Sequence, residues 1–133
     1  MDEIIPGKRI GKYSLGMSFE ELKNTLSSEN INHETERISL GQKVLTDNIE
    51  FWIEGDIVTQ ITVQNEFRGK LLGCIGIGSS LKDLKNQIGS YKQSDLEIVP
   101  TYEIEKLPGI CFEIDDFNEN NEEASTIKYI SIF

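Results

Sequence analysis

The chain has 133 residues, of which 38% are hydrophobic, and its formal net charge is −10. This length favours one domain with a real core, and no run of eighteen apolar residues is present to form a transmembrane helix. The acidic balance argues against direct nucleic-acid binding, because like charges repel, and it favours a basic partner.

The beginning of the sequence, "MDEIIPGKRIG", carries Asp2 and Glu3 where a signal peptide would carry basic residues, and it has no apolar segment of the required length. We therefore expect a cytoplasmic protein that does not associate with a membrane. The two cysteines, Cys74 and Cys111, are too few for a disulfide scaffold, and we expect both to fill the core.

A segment near the start of the chain is repeated 62 residues later, where residues 10–26, "IGKYSLGMSFEELKNTL", match residues 72–88, "LGCIGIGSSLKDLKNQI". The matched pairs are Gly11/Gly73, Leu15/Ile77, Gly16/Gly78, Ser18/Ser80, Phe19/Leu81, Leu22/Leu84, Lys23/Lys85, Asn24/Asn86 and Leu26/Ile88. Within a single domain spanning 1–133, repeat one covers about 8–66 and repeat two about 70–133. Each repeat predicts a turn at glycine and then a helix, over 18–26 and 80–88.

The serines at the predicted helix starts have acidic residues three positions on, which is the pattern of a capping box. Ser18 with Glu21 is the stronger match, and Ser80 with Asp83 the weaker. The glycines of "GCIGIGSS" suggest a phosphate-binding loop, but neither G-x-x-x-x-G-K-[ST] nor G-x-G-x-x-G is present. They are better explained as turns before a helix.

Strands follow each predicted helix. Residues 49–63 indicate a hairpin that turns at Gly55-Asp56, and residues 110–116 with 127–133 form its counterpart across a longer loop. Further strand-like segments are "RISLG", "KVLT" and "LEIVPTYEI". The predicted fold class is α+β: two tandem repeats, each a helix followed by three or four antiparallel strands, forming one sheet or two small sheets with the helices on one face.

No catalytic constellation is present. His33 is the sole histidine, so neither a cysteine or serine nucleophile with a histidine partner nor a two-histidine metal motif is indicated. Asp116, Asn118 and Asn120 resemble the start of a calcium loop, but Asn121 stands where such a loop needs glycine. We expect no enzymatic activity, no cofactor and no metal.

Two features suggest a partner-binding surface. Strand alternation places Trp52 on the same face as Glu50 and Glu54; Trp52 is core if that face is covered, and otherwise an exposed aromatic flanked by acids, typical of a binding hot spot. The second feature is residues 95–123, with ten acids and one base, a balance of −9. The acids nominated there for binding are Asp115, Asp116, Glu119, Glu122 and Glu123.

Four segments, "IIPGKRIGKYSLGMSFEEL", "NEFRGKLLGCIGIGSSLKDL", "LPGICFEI" and "IKYISIF", resemble a family of small bacterial immunity proteins. Members accompany the toxins of contact-dependent growth inhibition and related polymorphic toxin systems. The resemblance spans most of the chain, although Ser79 replaces the usual methionine of the second copy. It implies a cytoplasmic protein that binds and neutralises a cognate toxin domain, often a basic nuclease, and it transfers no binding residues.

Two alternatives remain open at the level of sequence. Tandem units of this kind also build envelope modules and secreted inhibitors, and a sheet domain of this size can serve as a non-catalytic scaffold in which the acids only confer solubility.

Overall fold

A computed structural model describes residues 2–94, 100–115 and 120–133, and its architecture is α+β. A small antiparallel sheet comes first, made of β1 (Ile4–Ile5), β2 (Arg9–Ile10) and β3 (Tyr13–Ser14). The sequence did not predict this sheet, because two-residue strands are too short to show an alternating pattern. A 3-10 helix, Glu122–Ala124, lies in the loop before the last strand.

An eight-stranded antiparallel sheet forms most of the fold. Its strands are β4 (Glu34–Ile38), β5 (Gly41–Leu45), β6 (Ile49–Glu54), β7 (Ile57–Val63), β8 (Tyr91–Gln93), β9 (Thr101–Ile104), β10 (Leu107–Ile114) and β11 (Ile127–Ile132). Across the sheet they run β4-β5-β6-β7-β11-β10-β9-β8. The hairpin predicted at Gly55-Asp56 is present, and both residues have positive φ, 57° and 64°.

Both helices form where glycine and serine predict them. Helix α1 spans Phe19–Ser28 and α2 spans Leu81–Gln87. The relative strength of the two caps was predicted wrongly. Ser80 and Asp83 form both bonds of a capping box, whereas the Ser18 hydroxyl accepts a hydrogen bond from the Glu21 N–H. The shorter side chain, that of Asp83, accepts the bond from the Ser80 N–H. The residue types alone do not show which of the two caps is complete.

The start of each helix is hydrogen-bonded to the start of a central strand. The Gly16 N–H donates to the Val58 carbonyl and the Gly78 N–H to the Ile127 carbonyl, both at 2.8 Å. The N–H groups of Val58 and Ile127 donate in return to the residue after each glycine, at 2.9 and 2.8 Å. These bonds attach α1 to β7 and α2 to β11.

The core lies on one face of the large sheet. Alternate residues of the inner strands point into it, apart from one extra residue at a bulge in β7 and in β11, and so do the buried leucines of both helices and three side chains of the small sheet. Its larger members include Ile4, Ile10, Tyr13, Leu22, Leu26, Phe51, Ile61, Leu81, Leu84, Tyr102, Phe112 and Ile130. Tyr13 meets the edge of Phe51 with ring centroids 5.0 Å apart, so the small sheet packs on this same face. The prediction that both cysteines fill the core is wrong for Cys111, which is half-buried on the other face.

The close contact between Gly109 and Gly7 gives a test of the fold. A Cβ on Gly109 would lie 2.8 Å from the Gly7 backbone, and the φ angle of Gly109 is 84°. We expect Gly109→Ala to destabilise the protein by about 3 kcal/mol or more, and Gly73→Ala, with φ 73° but open space, by about 1 kcal/mol. Urea unfolding followed by tryptophan fluorescence measures both, and equal costs would contradict the account.

Candidate functional site

The second face of the large sheet is the candidate site. Within the described residues neither helix packs on it, because their buried leucines lie in the core on the opposite face. We call it the open face, and the paired registers assign to it Glu34, Glu36, Lys43, Leu45, Glu50, Trp52, Glu54, Ile57, Gln60, Thr62, Lys92, Thr101, Glu103, Cys111, Glu113, Tyr129 and Ser131.

A polar row crosses the middle of the open face. Glu50, Thr62, Ser131 and Cys111 stand directly opposite one another on four adjacent strands. The Thr62 and Ser131 hydroxyls are hydrogen-bonded at 2.7 Å, and both residues are buried, with exposures of 3% and 4%. Such a polar centre is compatible with a face that contacts water or a partner, and it is unlike a second core.

Trp52 lies on the open face outside the core, on the side that alternation predicts. It is half-buried, and the Lys43 ammonium group stands 4.6 Å from its ring centroid. That ammonium group is also 3.4 Å from the Glu50 carboxylate, to which the Gln64 amide donates at 3.4 Å. Neighbouring side chains therefore hold Trp52 and Glu50 in place, and Lys43 offsets the charge of Glu50.

Exposed apolar groups extend this region beyond the residues predicted. Ile57 is opposite Glu54 at the hairpin end and is 44% exposed, and Leu40 in the neighbouring β4–β5 turn is 76% exposed. The two-residue turn, which pairs Ile57 with Glu54, carries a signal for Ile57, although alternation back from Ile61 would place it in the core and only the bulge in β7 reverses its face. Leu40 lies in a turn, where no periodicity applies.

The acids nominated in the segment 95–123 are not brought together with Trp52. Asp115 follows β10 and lies 3.9 Å from the Lys128 ammonium group, whereas Glu54 is at the other end of the strands. Glu123 pairs with Lys85 of α2 at 2.9 Å. The remaining two nominated acids, Asp116 and Glu119, lie outside the described residues. The described residues therefore do not form a single surface that contains Trp52 and all these acids.

Glu122 lies beside two tyrosines on the helix-bearing face. Tyr91 and Tyr102 meet edge to face with centroids 5.5 Å apart. Burial raises the pKa of Tyr91 to about 12, aided by the charges of Glu122 and Glu123 and by a hydrogen bond to Glu122. Burial and then Glu122 also raise the pKa of Tyr102, whose hydroxyl is buried without a hydrogen-bond partner among the described residues. Glu122 therefore has a local structural contact here.

Two further findings concern the described part of the chain. It contains no group of three or more histidine, cysteine, aspartate or glutamate side chains arranged to hold a metal ion. The calcium-like segment that starts at Asp116 falls partly outside this part. Neither of the helices described above has the length and apolar character needed to cross a membrane.

Comparison with known proteins shows the fold. No protein-family model matches the chain, and no curated protein matches it. The crystal structure of the uncharacterized protein YfeY from Escherichia coli is similar, with a TM-score of 0.62 and 10% sequence identity over 96% of this chain and 97% of that one. At this identity the likeness concerns the α+β architecture alone.

Adjacent residues on opposite faces test the placement of Trp52. We expect Phe51→Ala, which truncates a fully buried ring, to destabilise the protein by about 3–5 kcal/mol. Trp52→Ala should cost about 1–2 kcal/mol, because part of its ring is already in water. Thermal and urea unfolding followed by circular dichroism compare the two, and an equal or larger loss for Trp52→Ala would place this side chain in the core.

The raised pKa of Tyr91 predicts a pH dependence. Because the folded-state pKa, about 12, exceeds the ordinary value of 10.0, the contribution of Tyr91 to stability is fully present below pH 10 and is lost as pH rises towards 12. Tyrosinate absorbance should show a group that titrates near pH 12, and Tyr91→Phe should abolish it. Glu122→Gln should lower this pKa; an unchanged titration would disprove the contact with Glu122.

Proposed function

We propose that this protein binds and neutralises a basic toxin domain, a nuclease in the first instance, in the cytoplasm of a bacterium. The observation that carries the proposal is the open face. Among the described residues it presents six carboxylates, two ammonium groups and a half-buried tryptophan. The carboxylates belong to Glu34, Glu36, Glu50, Glu54, Glu103 and Glu113, and the ammonium groups to Lys43 and Lys92.

The chemistry of this surface suits a basic protein. A nuclease active site is positive because it holds phosphates, and an acidic protein with net charge −10 is attracted to it over a distance. Trp52 provides the kind of large, amphipathic side chain that dominates binding energy when a partner buries it. The resemblance of the sequence to immunity proteins supports the same partner class.

The two halves of the fold, in this proposal, are copies of one unit. The 62-residue sequence offset supports this, as do the matched hydrogen bonds at Gly16 and Gly78. The strand order supports it too, since β4-β5-β6-β7 and β8-β9-β10-β11 run in mirrored order from the two edges to the centre. Two copies of a unit that covers one face of its strands leave one wide face available for a partner.

Kinetics with the toxin domain encoded directly upstream of this chain's gene test the function. Neutralising Glu34, Glu36 and Glu54 to glutamine should slow association about 10-fold at low salt and flatten its salt dependence. Trp52→Ala should leave the association rate nearly unchanged and speed dissociation about 10-fold or more.

Glu20→Gln with Glu21→Gln is the control, because these exposed acids lie on α1, away from the open face. The control should change neither rate by more than about twofold, apart from a small general charge effect. If the upstream gene encodes no toxin, or if its toxin domain does not bind at micromolar concentration, the proposed function is wrong.

A further inference from the structure

A depression of 470 Å³ lies on the open face in the second half of the sheet. Its lining comes from five strands or their ends: Gln60, Ser94, Thr101, Glu103, Cys111, Glu113, Ser131 and Phe133. Glu103 and Glu113 belong to the acidic segment 95–123, but none of the lining residues was nominated individually, because the depression exists only where β7, β11, β10, β9 and β8 lie side by side.

Hydrogen-bond acceptors and one aromatic ring dominate this lining. Glu113 on β10 stands opposite Thr101 on β9. Glu103 lies two residues after Thr101 on β9, so the two glutamates are diagonal neighbours on one face. Diagonal neighbours in a sheet are about 7–8 Å apart, a spacing that long side chains can bridge. Phe133 is 49% exposed and shares the depression with both carboxylates.

The surroundings set the sign of the local charge. Lys92 is exposed and directly opposite Glu103, and together with Glu103 and Phe133 it lines an adjoining depression of 310 Å³, so it offsets part of the charge of Glu103. Among the described residues, the lining of the larger depression contains no basic residue. Two carboxylates on this lining therefore give it a negative potential, which attracts a cation.

We propose that this depression receives an arginine side chain of the protein partner, so that the open face docks a basic protein surface at this point. This inference rests on the proposed function and adds the place and chemistry of one contact. A guanidinium group is planar and carries five donors, which matches two carboxylates and several hydroxyl and amide oxygens, and it stacks on an aromatic ring such as Phe133. A nucleic acid does not suit the site, because phosphates would face two carboxylates.

Free arginine is the probe for a test that needs no partner. Titrated into isotopically labelled protein and followed by amide NMR shifts, arginine should bind in the millimolar range and perturb Thr101, Glu103, Cys111, Glu113 and Ser131 together. The double variant Glu103→Gln with Glu113→Gln should weaken this binding about fivefold or more. Glu34→Gln with Glu36→Gln, which removes equal charge from an exposed edge of the same face, should weaken it less than about twofold.

Several outcomes overturn the proposal. Arginine shifts that spread evenly over surface acids, or that respond equally to both double variants, would mean that only general charge attraction operates. Stronger perturbation by magnesium than by arginine would make the depression a cation site of another kind. The dispersion of the amide spectrum of each variant checks that it remains folded.

The complex with the upstream toxin domain separates this inference from the proposed function. Glu103→Gln with Glu113→Gln should speed dissociation of the complex about 10-fold. Substitution of a single toxin arginine by lysine should weaken the complex as well, and combining it with the double variant should weaken the complex no further. If the toxin binds but dissociation is unchanged by the double variant, the docking point is wrong and the function stands. If arginine fills the depression but no toxin binds, the function is wrong.

Discussion

The pairing of β7 with β11 is the interaction on which the rest of the structure depends. It joins residues 61–63 to residues 130–132 and converts two four-stranded arrays into one sheet. Because side chains alternate along paired strands, except at the bulges opposite Trp52/Ile53 and Glu113/Ile114, this register decides which residues of both halves share a face. It places Ile61 and Ile130 in one core with both helices, and it brings Thr62 and Ser131 together on the other side. A slip of one residue would exchange the two sets.

The two halves of the open face are chemically different. In the first half, Trp52 stands beside Lys43, and exposed apolar side chains surround the hairpin end. In the second half, Glu113 comes directly after Phe112 just as Trp52 comes directly after Phe51, and the depression is lined mainly by acceptors. A partner that covers the whole face would thus meet an apolar anchor on one side and a cation site on the other, which fixes its orientation.

Local signals in the sequence predicted the local structure well. The serine and glycine pattern located both helices to within a few residues, the Gly-Asp pair located the β6–β7 turn, and alternation placed Trp52 on the correct face. These features depend on neighbours within a few positions, so a single sequence contains them. The α+β class followed from the same patterns.

What depends on distant neighbours was predicted poorly. Glu122 and Glu123 belong to a run of acids in the sequence, yet the chain places them against Tyr91 and Lys85, on the side away from Trp52. Cysteine is a residue type that is usually buried in a core, but the register of β10 places Cys111 on the open face. Glu103 and Glu113 are separated by a turn, and only the β9–β10 register makes them neighbours.

The acids of the open face impose a cost that a basic partner would remove. Like charges on neighbouring strands repel, and within the first half Lys43 reduces that repulsion by standing between Trp52 and Glu50. In the second half Lys92, directly opposite Glu103, offsets part of the charge of Glu103, and the diagonal approach of Glu103 to Glu113 leaves the remaining repulsion. An arriving guanidinium group relieves it on binding. The carboxylates therefore make the free protein slightly less stable and the complex more stable, which is how a surface favours one charged partner over neutral ones.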